Sequence, residues 1–327
     1  MLSTVTTPGG RRLASLALLV LVLGLTAPHH AAAAQDEKKG GKKQKPVPRG
    51  TAVLWREPAD IASRDLLTGP GGAASRPSLR GVRFIRDDKS GTSKKYRVKD
   101  ASGRDWVVKV GREAQSETAA VRLLWAVGYP TEIVHLAPRV TLQGKGSFTN
   151  ARFELRPKTV GRAGEWKWDD NPFVGTRELQ GLKVMMVLLN NWDIKDENNV
   201  ILHQKNAGEL HYAISDLGAT LGKTGGGGFG LWRITRSRND PEGYAEDKFI
   251  DGVKDDGTVD FHFSGKQSEM FKDIRVEHAR WIGSLLAQLS NRQIGDAFRA
   301  ANYTPSEVRL LTNAVRYRID QLIRLRA

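Results

Sequence analysis

The chain of 327 residues contains no cysteine, and that absence removes a block of chemistry. Disulfides, cysteine-ligated zinc, iron–sulfur clusters, thiol nucleophiles and a lipid-carrying N-terminal cysteine are all excluded. Long apolar runs are also missing. The longest, from Leu13 to Ala27, covers 15 residues, short of the ~20 that a membrane-spanning helix needs. No H-E-x-x-H or G-x-S-x-G occurs, and His211, His262 and His278 lack metal-ligand spacing, so zinc-protease and serine-hydrolase signals are absent. Acidic residues are the minority, 36 against 51 Lys+Arg, for a net charge of +15. That surplus comes with no zinc-finger spacing, no RNP-type motif and no dense basic helix, so it carries no specific nucleic-acid signature. Net charge alone concerns association rather than fold. Any enzyme built from this chain works with oxygen and nitrogen groups.

What is present suits a folded protein, with 39% hydrophobic residues and 8 tryptophans, too apolar for a disordered chain. Residues 1–34 read as a signal peptide: Arg11 and Arg12 precede the apolar run, and Ala32, Ala33 and Ala34 supply small residues for cleavage near Ala34. The expected location is periplasmic or secreted. Residues 35–49, QDEKKGGKKQKPVPR, hold six basic and two acidic residues and read as a disordered tether able to contact an anionic surface. From Gly50 to about Leu79 the chain reads as linker or N-terminal wrap.

Packed structure is expected from about residue 80. Residues 82–86, 96–98 and 106–110 read as a three-stranded meander, with DDKSGTSK and KDASGRD as its turns. Ala120, Leu123, Leu124 and Val127 then recur at helical spacing, and Gly128-Tyr129-Pro130 ends the run. Further strands are expected at 139–142 and 152–155. In the second half Leu179, Leu182, Met186 and Leu189 mark a helix, and strands follow at 200–202 and 212–214 around QKNAGE. Two further helices are marked by Ile282, Leu285, Leu286 and Leu289 and by Val308, Leu311, Val315, Ile319 and Leu322. No internal repeat is found.

The chemistry gathers after the helix over 177–189. Asp193 and Asn198 stand five residues apart in NNWDIKDENNVIL, and a hairpin over 200–214 returns Asp216 beside Asn198. An amide oxygen and a carboxylate suit Mg²⁺, which is often bound partly through substrate phosphates. Asp193 can orient or accept the proton of an attacking hydroxyl, and Lys195 can neutralise a transferring phosphoryl group. These are the parts that phosphoryl transfer needs, because its catalysis is mostly positioning and charge stabilisation.

Here the chain resembles the protein-kinase-like superfamily. Asp193-Ile194-Lys195-Asp196-Glu197-Asn198, followed by an apolar strand, is similar to D-L-K-P-E-N of the kinase catalytic loop, and Asp216-Leu217-Gly218 is similar to D-F-G. Upstream, Val107-Val108-Lys109 resembles the V-A-I-K strand and Glu117 its ion-pair partner. Glu117 lies three residues before Ala120 and seven before Leu124, which puts a carboxylate on the apolar helix face, where it wants a cation; Glu113 is the alternative. A lone D-x-x-x-x-N is common, and the resemblance rests on the order and spacing of the five positions. It implies an α+β, two-lobed fold: a small antiparallel-sheet N-lobe with one helix over 80–160 and a mainly helical C-lobe over 161–327.

The departures are equally specific. Asn191-Trp192 replaces the family's His-Arg, and only Gly91 in KSGTSKKY stands where ordinary kinases carry three glycines. Backbone N–H groups there, with the hydroxyls of Ser90, Thr92 and Ser93, can cover phosphates, and a plain hairpin turn is the competing reading. The pattern points to an atypical branch, such as phosphatidylinositol-kinase-like, bacterial toxin-kinase-like or secreted-kinase-like proteins. LGKTGGGGFG (221–230) lacks the glycine spacing of a Walker A loop and reads as an activation-type loop or lid. Asp240-Pro241-Glu242 reads as a polar loop, and the arginines from Arg309 to Arg326 as a solvated helix face.

The resemblance implies ATP and Mg²⁺: Lys109, fixed by Glu117, on the phosphates, Asn198 and Asp216 on the metal, Asp193 and Lys195 at the transfer. The partners expected are a nucleotide and a hydroxyl-bearing acceptor, protein, lipid or small molecule. Export sits uneasily with ATP, which is scarce outside a bacterial cytoplasm, so a catalytically inactive kinase-fold protein binding a nucleotide or a partner is the alternative.

Overall fold

In the computed structural model, residues 48–89, 91, 93–204, 208–225 and 232–326 are described. They belong to one compact unit, Gln44–Ala327. Residues 1–34, expected as a signal peptide, most of the basic tail, Ser90, Thr92 and residues 226–231 of the glycine-rich segment lie outside the described residues.

Strand β1 (Thr51–Val53) opens the described chain. Alternating apolar and charged residues then build β2 (Arg83–Asp88), β3 (Lys95–Lys99) and β4 (Asp105–Lys109), the meander expected from sequence. Helix α1 (Glu113–Ala126) follows. A hairpin completes the sheet with β5 (Val134–Leu142) and β6 (Gly146–Leu155), longer than the expected strands because polar positions such as Ser147 and Thr149 also pair. The five strands run in the order β2-β3-β4-β6-β5, every neighbouring pair antiparallel. One face buries Tyr96, Val98, Trp106, Val108 and Phe153 in a local core.

The second half carries β7 (Val160–Gly164), α2 (Arg177–Leu188), β8 (Asn199–Gln204) and β9 (Glu209–Ile214). These strands form a sheet of order β1-β9-β8-β7, antiparallel except for the parallel β1–β9 pair. Next come α3 (Trp232–Thr235), α4 (Pro241–Glu246), the hairpin β10 (Ile250–Val253) and β11 (Val259–Phe261), and helices α5 (Val276–Ala287), α6 (Asn291–Ala300) and α7 (Pro305–Arg324). The protein is thus α+β with mainly antiparallel sheets. Asp240-Pro241-Glu242, expected as a polar loop, starts α4 instead: the Asp240 side chain accepts from Gly243 N at 3.1 Å, and proline suits the first helical position. Among the described residues no helix is long and apolar enough to cross a membrane.

A larger core joins α1, α2 and α4–α7 to the second sheet and takes in Leu54, Ile61 and Leu66 from the segment expected as linker or wrap. That segment is pinned to the end of α1: Trp55 Nε1 donates to Val127 O at 2.6 Å and Arg56 N to Gly128 O at 3.0 Å. Gly128 has φ +96°, and a Cβ there would lie 2.1 Å from Arg56 O, so only glycine admits this approach.

Candidate active site

Lys109 ends β4, opposite Arg152 of β6, on the sheet face that α1 covers. Its side chain is 1% exposed, and Nζ meets three carboxylates: Glu113 at 2.8 Å, Glu117 at 2.9 Å and Asp216 at 3.1 Å. Burial acts to lower the Lys109 pKa, but Glu117 and Asp216 outweigh it, and the net direction is upward. Glu117 also receives Arg152 Nη1 at 3.0 Å. Burial pushes the Glu117 carboxyl up, against the pull of Arg152 and Lys109. With an ammonium and a guanidinium both within hydrogen-bond reach, we take the carboxylate form as the one this geometry fits. Both acids offered by the sequence therefore reach Lys109. Glu117 is the inner one; Glu113, at the rim, also takes Ser93 Oγ at 2.6 Å and pairs with Arg238.

Asp216 is delivered by the hairpin β8–β9. Its N–H and that of Ser215 both point to Asn198 O, at 3.3 and 2.7 Å, which sets Asn198 and Asp216 side by side. Lys109 and Gly218 N both donate to Asp216 Oδ1, at 3.1 and 3.0 Å, and Oδ2 takes neither of these bonds. Burial would raise the Asp216 carboxyl; Lys109 and the Gly218 N–H override it and hold it below its ordinary value. Asn198 commits Nδ2 to Asp193 O at 2.5 Å, which leaves Oδ1 as its remaining acceptor. Among the described residues no three His, Cys, Asp or Glu side chains cluster as a metal site. One carboxylate and one amide oxygen nevertheless match how Mg²⁺ is held when phosphates complete its shell.

Asp193 follows the turn after α2, where Asn190 takes a left-handed conformation (φ 53°). Asn198 Nδ2 lies 3.3 Å from Asp193 Oδ2, and Lys195 Nζ lies 3.9 Å from the same oxygen. Trp192 is buried; Arg236 and Arg238 stack over its ring at 4.0 and 4.5 Å, and its Nε1 donates to Ser237 O at 2.8 Å. Thus Lys109, Glu117 and Asp216 meet in one cluster, Asp216 adjoins Asn198, and Asn198 adjoins Asp193 with Lys195 beside it. Gly91 (φ 67°) and Ser93 belong to the turn between β2 and β3, and Ser93 joins the cluster through Glu113. Ser90 and Thr92 cannot be placed with them, lying outside the described residues.

Sequence reading missed a second set of charges. Arg152 and Glu154, on alternate positions of β6, are buried and paired at 2.9 Å. Glu154 passes the contact to Arg156, and Glu132 joins Arg156 at 3.2 Å and also Arg162. Arg162 Nη2 then donates to Ser215 Oγ at 2.6 Å, next to Asp216. Burial first, then Glu154, push Glu132 up to about 7. Glu154 sits at about 2, where burial is overcome by Arg156 and Arg152. A cavity of about 440 Å³ opens at the end of this chain of ion pairs, lined by Trp125, Ile133, Leu155, Pro157, Arg156 and Arg162 among others; none of the sequence-derived site residues lines it. Lys266 was missed as well. It comes from the loop after β11, and its Nζ lies 2.6 Å from Asp193 Oδ1. No periodicity or motif near Lys266 marks it.

No protein-family model and no curated protein sequence matches this chain. Among solved structures it is similar to the Helicobacter pylori proinflammatory kinase CtkA, at 12% identity and a TM-score of 0.44 over 74% of this chain and 95% of that one.

Proposed function

We propose that this chain is an exported, atypical kinase-like phosphotransferase that moves a phosphoryl group from ATP to a hydroxyl acceptor with Mg²⁺. The observation that supports it is the position of Lys109, a buried ammonium shared by Glu117 of α1 and Asp216 at the end of β9. A structural lysine in an apolar sheet would need one partner. This one links the element that can hold phosphates to the element that can hold a metal, and the same backbone step leads through Asn198 to Asp193.

In this reading Lys109 holds phosphate oxygens of the nucleotide, and Asn198 and Asp216 hold Mg²⁺, which supplies neutralisation of phosphate charge. Asp193 orients the acceptor hydroxyl and takes its proton as the new P–O bond forms and ADP leaves. Lys195 offsets charge on the transferred group. The two-lobed arrangement and the atypical branch belong to the same proposal, as do export through residues 1–34 and contact of the Lys-rich tail with an anionic surface.

Thermal unfolding with and without ATP and Mg²⁺ tests it. Ligand at ~100 times its dissociation constant adds about 2.7 kcal/mol, a rise of several degrees. Asp216→Ala should lose the Mg²⁺-dependent part, while Asp193→Ala should keep the shift and lose transfer. No shift of the wild-type chain at millimolar ATP would overturn the reading.

A further inference from the structure

We propose that Lys266 is a positioning residue for Asp193, an assignment that rests on the phosphotransferase reading above. Its ammonium lies 2.6 Å from Asp193 Oδ1, whereas Lys195 stands 3.9 Å from Oδ2. Asn198 Nδ2 holds the other side of the carboxylate, 3.3 Å from Oδ2. One oxygen is therefore hydrogen-bonded from within the loop, and the other, which has no hydrogen-bond partner among the described residues, faces the charge of a lysine from a segment 73 residues further along the chain. A carboxylate with a donor on one edge and a cation on the other is biased toward one orientation before the hydroxyl arrives.

An exposed lysine beside an aspartate is ordinarily a surface pair of little consequence. Lys266 differs in how its backbone is held. Lys266 N donates to Trp192 O at 2.9 Å, and Gln267 Nε2 donates to Asp196 Oδ2 at 3.3 Å, so the segment is tied to the Asp193 loop on both sides of Asp193. Gly265 makes the approach possible: a Cβ there would lie 2.9 Å from Trp192 O and 3.1 Å from Trp192 Cα. Behind it Phe263 packs on Phe271 with ring centroids 5.8 Å apart. The backbone of Lys266 is thus anchored beside Asp193, within reach of one of its oxygens. A division of labour follows. Lys266 takes the Asp193 carboxylate, and Lys195 is left free to reach the phosphoryl group.

The test is steady-state ATP turnover by the full chain with Mg²⁺, water serving as acceptor. Lys266→Ala should lower kcat about 100-fold, the scale of a misplaced reacting group, with KM for ATP and Tm both unchanged, and Lys266→Arg should recover most of the loss. Gly265→Ala, which keeps the ammonium but forces its backbone off Trp192, should also lower kcat. Wild-type kcat in Lys266→Ala overturns the assignment. So does equal loss in the Ala and Arg variants, or a loss that follows a fall in Tm. Binding of ATP–Mg²⁺ without turnover by the wild-type chain overturns it too, since there is then no reaction to position for. Failure of the wild-type chain to bind ATP–Mg²⁺ at all is a different result, and removes the phosphotransferase reading itself.

Discussion

Replacing Glu117 with glutamine tests the centre of the site, because the change keeps the shape and deletes one buried charge. Glu117 is 2% exposed and sits between Lys109 Nζ at 2.9 Å and Arg152 Nη1 at 3.0 Å. At an effective dielectric of ~20, each contact at that range represents roughly 5 kcal/mol of gross attraction. Most of that is offset by the cost of desolvating the ions, and breaking one buried pair costs about 3–5 kcal/mol net. The lower end applies here. Lys109 keeps Glu113 and Asp216, and Arg152 keeps Glu154, so neither cation is left bare. A loss of about 3 kcal/mol, at ~2–4 °C per kcal/mol for a chain of this size, lowers Tm by roughly 6–12 °C. Circular dichroism melts at pH 7 measure it. A single variant melting within about 1 °C of wild type would refute the reasoning, because it would mean that burial has already neutralised Glu117 in the folded chain.

Glu132 provides a pH signature with the opposite sign to most carboxylates. Its carboxyl is pushed from 4.5 up to about 7, first by burial and then by Glu154, so between those values the folded chain holds a proton that the unfolded chain has released. The stability contributed by this group therefore falls as pH rises from 4.5 to about 7. Glu132→Gln should gain Tm over wild type progressively across that window, and a difference flat with pH would refute it. Gly128→Ala tests the N-terminal wrap: the new Cβ would meet Arg56 O at 2.1 Å in a backbone with φ +96°. Overpacking of this kind costs about 1–3 kcal/mol, and limited proteolysis should show earlier cleavage near residues 51–58; wild-type melting and cleavage would refute the contact.

Legibility in the sequence followed local pattern strength. Lys109 ends an apolar strand, Glu117 falls on the buried stripe of a helix, and Asp193, Asn198 and Asp216 flank a helix and two short strands whose periodicity marks where they begin and end. For these residues a single chain segment contains the signal, so their order and approximate elements could be read without a structure. Helix α6 was overlooked for the converse reason: in NRQIGDAFRA only Ile294, Ala297 and Phe298 are large or small apolar groups buried in the core, too few to stand out against the polar residues around them.

Burial of charge was invisible for a different reason. Arg152 and Glu154 alternate with Ala151, Phe153 and Leu155, the pattern of a strand with one wet face, and it is the packing of α1 on that face that places both side chains inside. Lys266 lies in a polar loop and gains meaning only through Trp192 and Asp193, 74 and 73 positions earlier. The sequence by itself determined which residue types stand at 109, 117, 193, 198 and 216 and on which local elements, because residue type and local periodicity are properties of one segment. Only the tertiary structure decided which acid is the inner partner of Lys109 and which lysine grips Asp193. Those choices are distances between segments, set by side-chain packing and by backbone hydrogen bonds that no local pattern encodes.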